Sequence, residues 1–296
     1  MGLANSLFIG VSGLNSFGNA LGVVSDNVAN ANTTGFKASS VTFGDMVAYA
    51  IGNNAASAKA QQGQGSMIRD VSQVFSQGSL IPTESNTDLA IAGAGFFVVD
   101  SPNDSRYFTR DGRFHFDADG NLVDSDGNFV QGTCYNSQDI DTSSYTDPDD
   151  PTNANLGNIQ LHINDGYYID DPGHAEQPQR LQSISIDRNG YIHGYFPDGN
   201  HFILAKIGLA TFPNSQGLQR DGNNLYIRTS ESGDYTVGPG QTNGRGSVYD
   251  YTLEQSNVDI GRELTNMIIY QAGFSANAKT ISTADEMINT LINMTR

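Results

Sequence analysis

Both ends of this 296-residue chain carry an apolar repeat with a seven-residue period, and neither end has enough chain around it to bury that repeat alone. Leu7, Leu14, Leu21 and Val28 fall seven apart, with Leu3, Val11, Phe17 and Val24 three or four residues away between them, the pattern of a helical seam. Near the other end Ile260, Met267, Phe274, Ile281 and Ile288 form a second string, accompanied by Leu264, Ala278, Ala284 and Leu291. The two seams are natural partners. The chain therefore reads as α+β: a β-rich body, meander-like or barrel-like, with its N- and C-terminal helices paired as a coiled-coil-like stalk.

The first seam is expected to make a weak helix by itself. Gly10, Gly13, Gly18 and Gly22 each cost about 1 kcal/mol relative to alanine inside a helix. Small residues also let helix backbones approach closely, so the same glycines suit a crowded bundle. The run from Asn30 to Gly35 ends the helix, because Asn and Gly tolerate the turn and left-handed conformations that stop one. At the far end Ser256 is the expected cap, with Asp259 supplying the matching acid three residues on, and the helix should run to the C-terminus.

Between the ends the period changes. Residues 36–75, rich in Ala, Gly, Gln and Ser, read as an extended linker with little core of its own, which would let β bodies slide while the helices keep their contacts. Residues 76–133 and 181–253 read as one β domain, in which Asp111-Gly112, Asp119-Gly120 and Asp126-Gly127 mark turns eight and seven residues apart. Those Asp-Gly pairs are expected to form type I′ turns. Residues 134–180 are polar and turn-rich, a small excursion or outer lobe. The terminal domain is then 1–35 together with 254–296.

Charge and chemistry narrow the function. Nearly all of the net charge of −17 lies in the middle of the chain, which argues against nucleic acid as a partner of that body. The single cysteine, Cys134, cannot form an intrachain disulfide. No basic stretch precedes a short apolar run at the start, so no cleaved signal peptide is expected, nor is membrane insertion. His115 to Gly120 offers part of a calcium loop, but His stands at the first ligand position and Asp126 at the twelfth, where Glu belongs. Turn formation explains those residues better. The five histidines show no paired metal spacing, and no nucleophile elbow or phosphate-cradling loop stands in its required context. No catalytic site, metal or cofactor is expected.

Two stretches carry a family resemblance. Ser12 to Asn15 followed by Val24 to Lys37, and Leu253 to Thr280 near the end, resemble the opening and closing signatures shared by bacterial flagellar rod and hook proteins. Gly93 to Val99 and Phe108 to Phe114 are similar to the family's inner β domain. Within the family, Asn289 to Asn293 and Ser185 to Gly190 look more like hook than distal rod. The residues that carry the signature are Asn27, Asn30, Thr34, Gly35, Phe36 and Lys37 at one end and Ser256, Asn257 and Val258 at the other.

The resemblance implies a structural subunit of the flagellar hook, polymerising helically into a curved hollow tube that passes motor torque to the filament. It implies self-association, contact with the adjacent rod and hook–filament junction proteins, and encounters with the hook cap and export apparatus. The place would be the hook–basal body, outside the cell after export without a cleaved signal. Leu7, Val11, Leu14, Leu21, Val24 and Val28, with Ile260, Leu264, Met267, Phe274, Ile281, Ile288 and Leu291, are the expected polymer-packing residues. A free monomer is expected to have mobile ends that order on assembly. Rival readings are a rod protein, a secreted β-rich adhesin that uses its acidic middle for ligands, and last a calcium-dependent hydrolase.

Overall fold

Glycine-interrupted or not, the first seam is one continuous helix. In the computed structural model, which describes residues 2–47, 49–50, 61–103, 105–135, 139–140, 156–163, 166–169 and 179–294, helix α1 spans Gly2–Ala29. It stops where the Asn/Gly-rich run begins, the Asn30 N–H still reaching back to Asp26. Helix α2 spans Ile260–Met294, 35 residues and about 52 Å at 1.5 Å per residue. Its cap is Asp259 rather than Ser256. The Asp259 carboxylate accepts the N–H groups of Gly261 at 2.9 Å and Arg262 at 3.2 Å, satisfying two of the donors that a helix start leaves over.

The chain forms two compact units. One contains residues 1–32, 37–74 and 258–296; the other contains 33–36 and 75–257.

In the first unit α1 and α2 pack antiparallel, and the stretch expected to be a sliding linker is instead a hairpin. Strand Ser39–Asp45 pairs antiparallel with Ser66–Gln73, from Ser39 opposite Gln73 to Asp45 opposite Ser66, with an irregularity between Thr42 and Phe43. Val41 and Phe43 alternate with the more exposed Ser40 and Thr42, a period-two pattern hidden by the Ala/Gly/Gln-rich tip. The tip, residues 51–60, lies outside the described residues. The hairpin packs along α1, and Phe43 sits 5.4 Å from Phe17 of α1 and 5.7 Å from Tyr270 of α2, ring centre to ring centre. Those aromatic contacts hold the hairpin against both helices, which is a packed role rather than that of an extended connector.

The second unit is built on a sheet of thirteen described strands. Its main path runs Ser183–Ile186, Tyr191–Tyr195, His201–Ile207, Phe129–Cys134, Phe96–Asp100, Arg106–Thr109, Leu225–Ile227 and Gln219–Gly222. Phe96–Asp100 lies deep in it. Phe97 and Val99 enter one core with Leu122, Ile192, Ile207 and Val248, while Phe96 and Val98 enter another with Phe108, Ala210 and Tyr226. Burial on both faces explains why that strand is an unbroken apolar run.

Two of the three expected Asp-Gly turns form, at Asp119-Gly120 and Asp126-Gly127, by a different geometry from the one expected, while Asp111-Gly112 makes no turn. Gly120 and Gly127 adopt φ of +79° and +81°, but Asp119 and Asp126 are not left-handed, so neither turn is type I′. Each is held by the Asp two residues earlier. Asp117 Oδ1 accepts the N–H groups of Asp119 and Asn121 and its Oδ2 the amide of Asn121; Asp124 does the same for Asp126 and Asn128. The type I′ turn is at Asn223 and Asn224, with φ of 47° and 58°, between paired Gly222 and Leu225.

The segment 134–180 is only partly an excursion. Gly157–Asn158 pairs with strand Phe129–Cys134, and Ile159, Leu161 and Tyr167 are fully buried in the main core. A polar surrounding sequence hid three core residues. The stretches 136–138, 141–155, 164–165 and 170–178 lie outside the described residues.

Candidate assembly interface

Glycines set how closely the two helices approach. A methyl group added at Gly10 would stand 2.8 Å from the Ile281 side chain, one at Gly13 2.5 Å from Asn277, and one at Gly273 2.7 Å from the Phe17 ring. Gly22 has nothing within 4 Å. Three of these glycines therefore serve the contact within the chain, and Gly22 lies on an open face.

The most buried line on α1 is Gly10, Gly13, Ser16, Ala20, Val24 and Asn27, made mostly of small and polar residues. Its polar members have partners in the hairpin. Ser16 donates to the Ser66 carbonyl at 2.9 Å, and the Asn27 side chain donates to the Ser39 carbonyl and accepts the Ser39 N–H, both at 2.8 Å. Asn27 thus acts as one more rung of the β-ladder. Over Asn5–Ala29 the helix is long and apolar enough to cross a membrane by length and composition, yet this paired polar face suits packing against protein.

The heptad residues occupy other positions. Leu7, Leu14, Leu21 and Val28 are half-buried, Val11 is exposed, and only Val24 is buried. On α2 Met267, Ile281 and Ile288 are half-buried, while Ile260, Leu264, Phe274 and Leu291 are 40 to 50% exposed. The sequence pattern did not mark Ile268, Ile269, Met287 and Ile292, which are 55 to 67% exposed. Ala284 is the one buried residue described on the whole of α2. Large apolar side chains thus stay open to solvent along much of α2, at the spacing of a helix face that a partner could cover.

The signature residues have local structural roles. Gly35, at φ +71°, donates its N–H to the Glu254 carbonyl at 2.8 Å, and an added methyl would meet the Asp111 nitrogen at 2.6 Å. The Thr34 carbonyl accepts the Asn224 amide at 2.8 Å. Phe36 is buried, with the Arg220 guanidinium 4.9 Å above its ring. Lys37 is buried as well. Asn30 bonds back to Asp26, Asn257 reaches Ser76, and Ser256 and Val258 are half-buried.

Glu254 was not singled out from sequence, although it lies within the closing signature. It is fully buried and pairs with Arg110, 4% exposed, at 3.2 Å. Arg110 also donates to the Gly93 carbonyl at 2.7 Å and lies over Phe96. Burial lowers the Arg110 pKa from its ordinary value, and the Glu254 charge opposes that shift. Among the described residues no group of three or more His, Cys, Asp or Glu is placed to hold a metal ion.

Comparison with known proteins draws these features together. Residues 7–37 match the family described as flagella basal body rod protein, residues 90–194 the flagellar hook protein FlgE/F/G D1 domain, and residues 250–294 the flagellar basal body rod FlgEFG protein C-terminal. The flagellar basal-body rod protein FlgG of Bacillus subtilis is 35% identical over 99% of this chain and all of the relative. The chain belongs to the flagellar rod and hook protein family. The flagellar hook protein FlgE of Brucella suis is 27% identical across the whole of both chains, over an alignment of 403 positions. Among solved structures, the hook protein FlgE2 of Helicobacter pylori is similar at 16% identity and a TM-score of 0.24, over 74% of this chain and 43% of that one. Rod and hook proteins are structural parts of the flagellar hook–basal body, and the uncovered face of α2 fits such a role.

Proposed function

We propose that this chain is a hook subunit, which polymerises helically with copies of itself into a hollow tube that carries torque. The observation behind this reading is the apolar length of α2, with Ile260, Leu264, Ile268, Ile269, Met287 and Leu291 open although the helix is already paired with α1. One antiparallel partner cannot cover a 35-residue helix all round. Neighbouring copies can, and head-to-tail contacts that do not close into a ring generate a helical tube. In this reading the exposed heptad residues, Val11 on α1 and Ile260 and Leu264 on α2, face neighbouring subunits, while Val24 and Ile281 serve the contact within the chain, and no catalytic chemistry is involved. Rod, hook–filament junction and cap proteins are the expected neighbours at the tube's ends, with passage through the export apparatus before assembly.

A second reading, a rod subunit, is favoured by the Bacillus FlgG relative, which aligns over 303 positions where the Brucella hook protein needs 403. Antibody labelling of isolated hook–basal bodies separates the two. Label along the curved tube supports the hook, and label confined to the straight shaft supports the rod. Hydrogen exchange on monomer and tube tests polymer packing directly. Residues 3–30 should gain strong protection on assembly; equal protection in both states would count against it.

A further inference from the structure

The chain crosses between its two units four times, after residues 32, 36, 74 and 257. Within the β unit, the three segments next to those crossings converge on one residue. Glu254 accepts the Gly35 N–H on its backbone carbonyl and the Gly78 N–H on Oε1, both at 2.8 Å, and its Oε2 holds Arg110. Around this point Gln255 donates to the Ser79 carbonyl at 2.8 Å and Asn257 to Ser76 at 3.0 and 3.2 Å. The fit at Gly78 is tight, since an added methyl would lie against the Gln255 carbonyl. Arg110 in turn bonds to the Ile91 carbonyl, on a strand Ala90–Ala92 that pairs with Ser247–Tyr249, and to the Gly93 carbonyl just after it.

We propose that the Arg110–Glu254 pair is the anchor by which the β unit grips every stretch of chain leading to the helical unit. If the protein is a torque-carrying subunit, as proposed above, load passing between the units along the chain is delivered to Glu254, through its backbone carbonyl from Gly35 and through its carboxylate from Gly78. Stability alone does not call for such a pair, because well-packed apolar residues often replace a buried ion pair without loss. The carboxylate adds something that apolar side chains cannot supply: an acceptor for the amide of one crossing segment, on the residue whose own carbonyl holds another. Both are positioning residues.

The test uses the full-length protein and the double substitution Arg110→Met with Glu254→Leu, which leaves no uncompensated buried charge. Hydrogen exchange of the monomer should rise about tenfold at Gly35, Gly78 and Gln255, the size of effect expected when an ordering contact is lost, while Val99 and Ile207 in the sheet stay unchanged. Tubes of the variant should bend more easily than wild type in electron micrographs. Unchanged exchange at the three amides, or an even rise across the whole sheet, overturns the proposal. Should the double variant fail to fold, Asn257→Ala releases Ser76 from the surface side, and the same local rise around Ser76 to Gly78 is expected. If the wild-type protein forms no tubes, the polymer reading fails, but the exchange pattern of the monomer still decides the anchor.

Discussion

At the residue scale, polar side chains fully withdrawn from water do the most specific structural work. Asn27 is buried with both ends of its amide committed to Ser39. Asn27→Ala removes two hydrogen bonds and leaves buried backbone groups unpaired, which should cost about 2 to 4 kcal/mol in urea denaturation of the monomer. The Asp117 carboxylate makes a prediction about acid. Asp117 is held below its ordinary pKa of 3.8 by the Asn121 side-chain amide, with further help from the N–H groups of Asn121, Asp119 and Gly120. A depressed pKa means that the ionised carboxylate stabilises the fold above about pH 4, and that this contribution fades as pH falls through the folded value. Asp117→Asn should therefore flatten the acid limb of the melting temperature against pH. An acid limb identical to wild type would show that Asp117 does not contribute to it. The sequence signalled a turn at this place, but which atom holds the turn became visible only in the fold.

At the scale of elements, the glycines of the helix pair have different tasks although composition makes them look alike. Gly22→Ala adds helix propensity on an open face and should stabilise the helix by up to about 1 kcal/mol. Gly273→Ala, on α2, drives a methyl into the Phe17 ring and should destabilise by about 1 to 3 kcal/mol. Thermal denaturation of the two variants should shift in opposite directions. On the exposed side of α2, Ile268→Lys should leave the monomer within about 0.5 kcal/mol of wild type while blocking tube formation. Tubes of normal yield from that variant would remove Ile268 from the subunit contact. The hairpin Ser39–Gln73 shows the limit of reading elements from composition: its alternation is short, and the aromatic partners that fix it, Phe17 and Tyr270, are far away in sequence.

For the whole molecule, the dominant facts are an acidic chain and an apolar helix that one partner cannot cover. Bringing together copies that each carry −17 is opposed by repulsion, which salt screens over a Debye length of about 8 Å at physiological ionic strength. The critical concentration for tube assembly should therefore fall as salt rises from low to physiological, measured by sedimentation of the polymer. A critical concentration that rises with salt would mean that attraction between charges, rather than apolar contact, holds the tube.

The terminal helices, the β character of the middle and the relation to rod and hook proteins were all legible in the amino-acid sequence, because periodicity and turn residues are local signals and the signatures are contiguous. Local signals could not say that the heptad leucines lie only half-buried while glycines, Ser16, Ala20 and Asn27 line the most buried face of α1. Nor could they show that Ile159, Leu161 and Tyr167 leave a polar stretch to enter the core, or that Glu254 meets Gly35, Gly78 and Arg110. Such contacts join residues up to 219 positions apart, as with Gly35 and Glu254, and no periodicity along a chain encodes which distant backbone will arrive opposite a given side chain. Only packing in three dimensions decides that.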